Sequence, residues 1–390
     1  MSQTAPAART ALRALTWARS DRMTREELLE LIAAAGPALL PPVNTAIASP
    51  RGFRRTTPTR TISSVGNAQP STDGREHQSA PTPHAGMPYI GLDRLLGADA
   101  VQGLRPAPGV TVDERSWTTP WQVATAVAAL CCAGVPVLTA VLPATVRSML
   151  DPGLLAAGDL LDDVDVRDPD RREARSIGLR RSAHRAYGYH PAHDPPRPAI
   201  SVLADQATLT EALRHQLAAQ SWSQVHLHVL GDDDISLLRE VQATGSVYLT
   251  RLRAGVSYGP HHLEDLVHAL WHSGCGVACS PRRFAHEPEH GAVVERPATP
   301  TEVTSPTSEG LAGTALWYAG HGLTPPDGPA YLGHGCNAVL TDAQPADWAP
   351  TSIVHRRTPP QLAWFHAESG HSTLTAANSY FARAGSRARS

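Results

Sequence analysis

Two apolar runs of this sequence end in carboxylates. Ala199 to Asp205 closes on Asp205, and Val225 to Asp234 closes on Asp232, Asp233 and Asp234. A third run, Ser246 to Leu252, contains Arg251 and is followed at once by Arg253. Carboxylates at strand ends sit where a parallel sheet takes its ligands, and they accept hydrogen bonds from hydroxyl groups. A short carboxylate there also caps the helix that follows, so both readings of Asp232 to Asp234 stand. The nineteen histidines invite a metal. His268 and His272, four residues apart, share one face of any helix, but no glutamate lies between them in zinc-protease fashion. A solvated helix face is the simpler expectation for that pair. Cys275 and Cys279, in an extended strand, would stand about 13 Å apart at ~3.3 Å per residue, too far to share a zinc ion. His334 and Cys336 fall in a loop with nothing to activate the thiol. Gly255 and Gly259 stand alone, so neither a phosphate loop nor a dinucleotide fingerprint is present.

The elements that must position these groups follow from the apolar pattern. Ala199 to Asp205 reads as a buried strand, and Thr208 to Trp222 as an amphipathic helix with Leu209, Leu213 and Leu217 at every fourth position. Val225 to Asp234 reads as a second buried strand ending in three aspartates, Ile235 to Gly245 as a helix, and Ser246 to Leu252 as a third strand. Tyr258 to Gly274 then predicts a turn and helix, and Cys275 to Phe284 a fourth strand. Strand and helix alternating in this way imply right-handed crossovers and a parallel sheet, with ligands at the carboxyl ends of the strands. Upstream, Trp121 to Gly134 predicts a buried helix stopped by glycine, and Val135 to Leu142 a continuous apolar strand. Val110 to Trp117 predicts a short strand and turn, and Met149 to Leu161 a helix. The arginine-rich segment 171–185 predicts a helix with a solvated arginine face. Met23 to Leu40 predicts an amphipathic helix broken by Gly36-Pro37.

Composition narrows the function classes. A formal charge of -2, without long blocks of one sign, gives no electrostatic reason to expect nucleic acid or an anionic membrane. No apolar run reaches the roughly 18 residues that span a bilayer, so stable membrane insertion is not expected. Five cysteines, an odd number without scaffold spacing, predict reduced thiols and a cytoplasmic location.

The residues from Pro198 to Phe284 resemble the inverting GT-A glycosyltransferases of family 2. The likeness lies in the first strand, the helix ending in Ala219-Gln220-Ser221-Trp222, and the second strand ending in Asp232-Asp233; the run Tyr258 to Gly274 looks like the segment that follows that family's metal-binding aspartates. The resemblance implies that Ala204, Asp205 and Gln206, with Asp232 or Asp233, hold the nucleoside of a nucleotide sugar. It also implies an acidic pair after the third strand to hold a divalent metal, and there this chain has Arg253-Ala254-Gly255-Val256. Asp327, in a Pro-Pro-Asp-Gly turn, is the only carboxylate in the link where the family carries its acceptor-side acids. A guanidinium binds diphosphate bidentately, so Arg253, assisted by Arg251, is the candidate to stand in for the metal.

The fold expected is therefore α/β: a GT-A-like, Rossmann-type, mostly parallel sheet flanked by helices, preceded by a smaller α/β segment. The organisation expected is a helical segment over 1–49, a flexible linker over 50–87, an α/β accessory domain over 88–196, a glycosyltransferase-like domain over 197–345, and a C-terminal extension over 346–390 with a disordered tail. The activity expected is transfer of a sugar from a nucleotide-sugar donor in surface polysaccharide or glycoconjugate synthesis, in a degenerate, metal-independent form. The alternative is an inactive pseudo-glycosyltransferase that acts as scaffold or regulator of a partner transferase. No residue is assigned as the catalytic base, no metal ligand is assigned, and no cofactor is expected beyond the donor.

Overall fold

The computed structural model describes residues 40, 43–44, 89–90, 104, 109–112, 119–159, 169–189, 197–231, 233–273, 275–280, 284–287, 292–295, 303–304, 315–326, 330–332, 338–340 and 355–356. The expected Met23 helix, the linker over 50–87 and the C-terminal tail lie outside the described residues, as do Asp232, Asp327, His334 and Cys336. The chain divides into two compact units, Met1–Pro196 with Trp271–Ser273, and Arg197–Leu270 with Gly274–Ser390. Among the described residues, no helix is long and apolar enough to cross a membrane.

The first unit is mainly helical. Among its described residues the short strands β1 (Val43–Asn44), β2 (Tyr89–Ile90), β3 (Thr111–Val112) and β4 (Gly188–Tyr189) pair in parallel as β1 with β4 and β2 with β3. Helix α1 (Pro120–Cys132) starts with Thr119, whose hydroxyl accepts from the Gln122 N–H at 3.4 Å, and with Pro120 at its first turn, where a missing N–H costs nothing. It buries Trp121, Val123, Val127, Leu130 and both cysteines, and Gly134 follows at φ 74 to stop it. Burial pushes the Cys131 and Cys132 thiols well above their usual range, which keeps them protonated and unreactive.

Two expectations fail in this unit. Val135 to Leu142 is not a strand: only Val137 bridges to Val110, and Thr139–Val141 turns into a 3-10 helix. Pro136 and Pro143 have no N–H to donate, so a ladder cannot extend in either direction. The arginine helix is not simply solvated either. Beyond α2 (Ala144–Arg147) and α3 (Pro152–Asp159), helix α4 (Pro169–Tyr187) leaves Arg180 0% exposed and Arg181 9%. Helix α4 is stitched to the end of α1, with the Ser176 hydroxyl donating to the Gly134 carbonyl and His184 Nε2 donating to the Cys132 carbonyl at 2.9 Å.

The second unit is a mixed sheet flanked by helices, an α/β architecture. Its elements run β5 (Ile200–Asp205), α5 (Glu211–Ala218), β6 (Val225–Leu230), α6 (Asp234–Ala243), β7 (Tyr248–Leu252), β8 (Val256–Tyr258), α7 (His262–Ser273), β9 (Val277–Cys279), β10 (Phe284–Glu287), β11 (Ala292–Glu295), β12 (Val303–Thr304), β13 (Ala315–Tyr318), β14 (Ala330–Leu332), β15 (Ala338–Leu340) and β16 (His355–Arg356). The larger sheet has seven strands in the order β12-β14-β9-β13-β7-β5-β6. Strands β6, β5 and β7 lie parallel with β5 in the middle, while β13 runs antiparallel between β7 and β9. The pairing is thus mixed rather than mostly parallel. A smaller five-stranded sheet, β16-β11-β10-β15-β8, takes β8 as its edge.

Register sets the two faces of the larger sheet. Ser201, Leu203 and Asp205 alternate along β5 on one face, level with Leu249 and Arg251 on β7 and with His226 and His228 on β6. Leu237 and Val241 of α6 join Leu203, Leu249, Val277 and Trp317 in the core on that face. Val225 to Leu230, expected to be fully buried, is the sheet edge: Val229 is 44% exposed, because among the described strands it pairs only with β5.

Candidate functional site

Strand β5 leads through α5 to β6 on one side, and β6 leads back through α6 to β7 on the other side of β5. The order of connection therefore switches sides at β5 while the strands stay parallel, and the carboxyl ends of β5 and β7 form a topological switch point, the place where open α/β sheets take ligands. Asp205 is the last residue of β5 and Arg251 the penultimate residue of β7. Arg251 Nη2 donates to Asp205 Oδ1 at 3.2 Å and lies 3.4 Å from Oδ2. Both side chains are about half exposed, at 49% for Asp205 and 53% for Arg251. An acceptor of hydroxyl protons and a donor to anions thus meet at a topological switch point of the sheet.

Asp233 has a different task. It is the N-cap of α6, accepting from the N–H groups of Ile235 at 3.0 Å and Ser236 at 3.2 Å, and from the Ser236 hydroxyl at 2.6 Å. The Ser236 hydroxyl is the main cause that holds the Asp233 carboxyl below its usual range, with the helix amides adding to it. For Asp233, capping is the reading its bonds express.

Arg253 follows β7 in a turn of three residues, Arg253, Ala254 and Gly255, before β8 begins at Val256. Gly255 has φ 74, a left-handed conformation that a Cβ disfavours. The Arg253 backbone N–H donates to Tyr258 Oη at 3.2 Å. This turn occupies the place where the resemblance calls for acidic metal ligands, and no side chain in it carries an oxygen donor. The residues do not fit a hard divalent cation. Among the described residues, no group of three His, Cys, Asp or Glu side chains could hold a metal ion.

A buried polar layer behind the turn had no clear sign in the sequence. His262, Glu264, Asp265 and His268, all on α7, are 0%, 1%, 1% and 4% exposed. His268, expected on a solvated face, instead meets the Trp222 ring edge-on at 6.5 Å between centroids. The Ser221 hydroxyl donates to Glu264 Oε2 at 2.6 Å, and His261 Nδ1 stands 3.4 Å from the same oxygen. Burial pushes the His262 imidazole down to about 4, with Asp265 opposing the shift. Neither ring nitrogen of His262 has a hydrogen-bond partner. A second hidden network joins Ser201 Oγ to His228 Nε2 at 2.9 Å, with Glu240 Oε2 at 3.6 Å from His228 Nδ1. The geometry resembles a hydrolase triad, but Ser201 is 0% exposed, so no substrate reaches it. The sequence signals for these layers were faint: one serine inside an apolar strand, and glutamines at 216 and 220.

No family model matches this chain. The search of curated proteins finds no match either. The functional reading therefore stands on the residues themselves.

Proposed function

We propose that the second unit binds a nucleotide sugar at the carboxyl ends of β5 and β7, as a GT-A-like glycosyltransferase working without a divalent metal in surface polysaccharide or glycoconjugate synthesis. The observation that carries this reading is the Asp205–Arg251 pair at the topological switch point. In it, Asp205 accepts hydrogen bonds from the ribose hydroxyls of the donor. Arg251 turns from Asp205 to the diphosphate, where its planar fork fits two oxygens at once. Arg253 supplies a second cation beside it. When the sugar leaves the diphosphate, negative charge grows on the departing oxygen, and guanidinium groups already in position stabilise it without reorganisation. This is the service that a metal renders in the enzymes the chain resembles. Asp233 contributes through α6, whose start it orders, and not as a nucleoside ligand.

The turn without carboxylates also favours a second reading, an inactive relative that binds the nucleotide sugar and regulates or scaffolds a partner transferase. Calorimetric titration with UDP, GDP and their sugar conjugates, each with Mn²⁺ and then with EDTA, tests both. Binding that survives EDTA and weakens in Arg253→Ala supports the arginine site. Undiminished affinity in Arg253→Ala removes Arg253 from it. Sugar transfer or donor hydrolysis distinguishes the enzyme from the scaffold, which binds without turnover.

A further inference from the structure

The turn that carries Arg253 is fastened by the side chain of Tyr258. Tyr258, the last residue of β8, is 2% exposed, and its hydroxyl reaches back five residues to accept the Arg253 N–H at 3.2 Å. That bond ties the start of the loop between β7 and β8 to the end of β8. Tyr258 is itself clamped. Its backbone N–H donates to Gln216 Oε1 at 2.9 Å, and its ring lies against His262 with centroids 5.0 Å apart and planes at 57°. Gln220, four residues after Gln216, donates to the Gly259 carbonyl at 2.8 Å and accepts the Leu263 N–H at 3.2 Å. The two glutamines thereby hold the junction of β8 and α7 at Tyr258, Gly259 and Leu263. The wholly buried His262, with no hydrogen bond from either ring nitrogen, serves as an apolar wall for the tyrosine ring. These polar groups at one buried junction fix the tyrosine oxygen in space, where the Arg253 N–H donates to it.

We propose that Tyr258 is a positioning residue for the phosphate-binding Arg253: its hydroxyl fixes the Arg253 backbone and with it the direction in which the β7–β8 turn presents the Arg253 guanidinium. The inference rests on the nucleotide-sugar reading above and adds the group that sets the geometry of that site. Its reach is confined to phosphate recognition, because the ribose acceptor, Asp205, stands on a different strand.

The test compares uridine, UDP and pyrophosphate by calorimetric titration into the full-length wild type, Tyr258→Phe and Gly255→Ala, with the melting temperature of each recorded. Tyr258→Phe keeps the ring and its packing and deletes only the hydroxyl. The expected result is a loss of about two- to tenfold in affinity for UDP and pyrophosphate, the range of one neutral hydrogen bond, with uridine affinity unchanged. Gly255→Ala disturbs the same turn from its other side and is expected to show the same selective loss. Equal pyrophosphate affinity in wild type and Tyr258→Phe overturns the positioning role, and so does an equal loss for uridine and UDP, which marks general loosening. Wild-type protein that binds neither UDP nor pyrophosphate overturns the nucleotide-sugar reading together with this one. Wild type that binds UDP no better than Tyr258→Phe removes the positioning role alone.

Discussion

Neutralising Asp205 should move two ligands in opposite directions. In the free protein its carboxylate is an internal competitor for the Arg251 guanidinium, at 3.2 Å. With both side chains about half exposed, the pair contributes only ~0.2–1 kcal/mol. Asp205→Asn frees Arg251 from that competition and also removes a negative charge from beside the incoming phosphate. At about 6 Å in water that repulsion is on the order of 0.7 kcal/mol. Pyrophosphate should therefore bind about five- to twentyfold tighter in the variant. Uridine should bind more weakly, by about fivefold, because a ribose hydroxyl gives up a charged acceptor for a neutral one. Calorimetric titration of both ligands into both proteins, at low and at moderate salt, reads the two effects. The pyrophosphate gain should shrink with salt as the charges are screened. If both ligands weaken together, or neither responds, Asp205 and Arg251 do not divide the donor as proposed.

Three further outcomes follow from the packing. His262 is held neutral by burial at about 4, against an ordinary value of 6.5, so its contribution to stability is present above the ordinary value and is lost as pH falls through the depressed one. Unfolding free energy should fall by about 3 kcal/mol across that window, and His262→Leu should flatten the dependence in urea melts. Ser201→Ala leaves His228 Nε2 buried without its 2.9 Å partner and should cost ~1–3 kcal/mol, whereas Ser201→Ala with His228→Leu should cost less than the sum of the single changes. Additive losses in that double-mutant cycle contradict the coupling. Gly158→Ala places a Cβ against the Thr139 side chain, 2.6 Å from its Cγ2, and Thr139 donates to Asp159 at 2.9 Å. The overpacking should cost ~1–3 kcal/mol by denaturant melting.

The sequence by itself determined the parts that depend on local pattern. Ala199 to Asp205 is legible as a central strand because it is apolar on both faces, and the helix after Asp233 is legible because a short carboxylate precedes an amphipathic run. Pattern alone misled where neighbours decide. Val225 to Leu230 has the same apolar character but lies at the sheet edge, and Val135 to Leu142 could not pair because prolines flank its one bridging residue. The arginines of α4 read as solvated, yet Arg180 and Arg181 are buried, since charge says nothing of which face a partner helix covers. Only the tertiary structure decided the candidate site. Asp205 and Arg251 are 46 residues apart in the chain and meet because the register of β5 against β7 sets them on one face. The same is true of Tyr258, whose hydroxyl becomes a support for Arg253 only once the turn at Gly255 folds it back. A parallel pairing joins residues through a crossover of many residues, so its register is a property of the whole packed unit and leaves no mark in the local sequence.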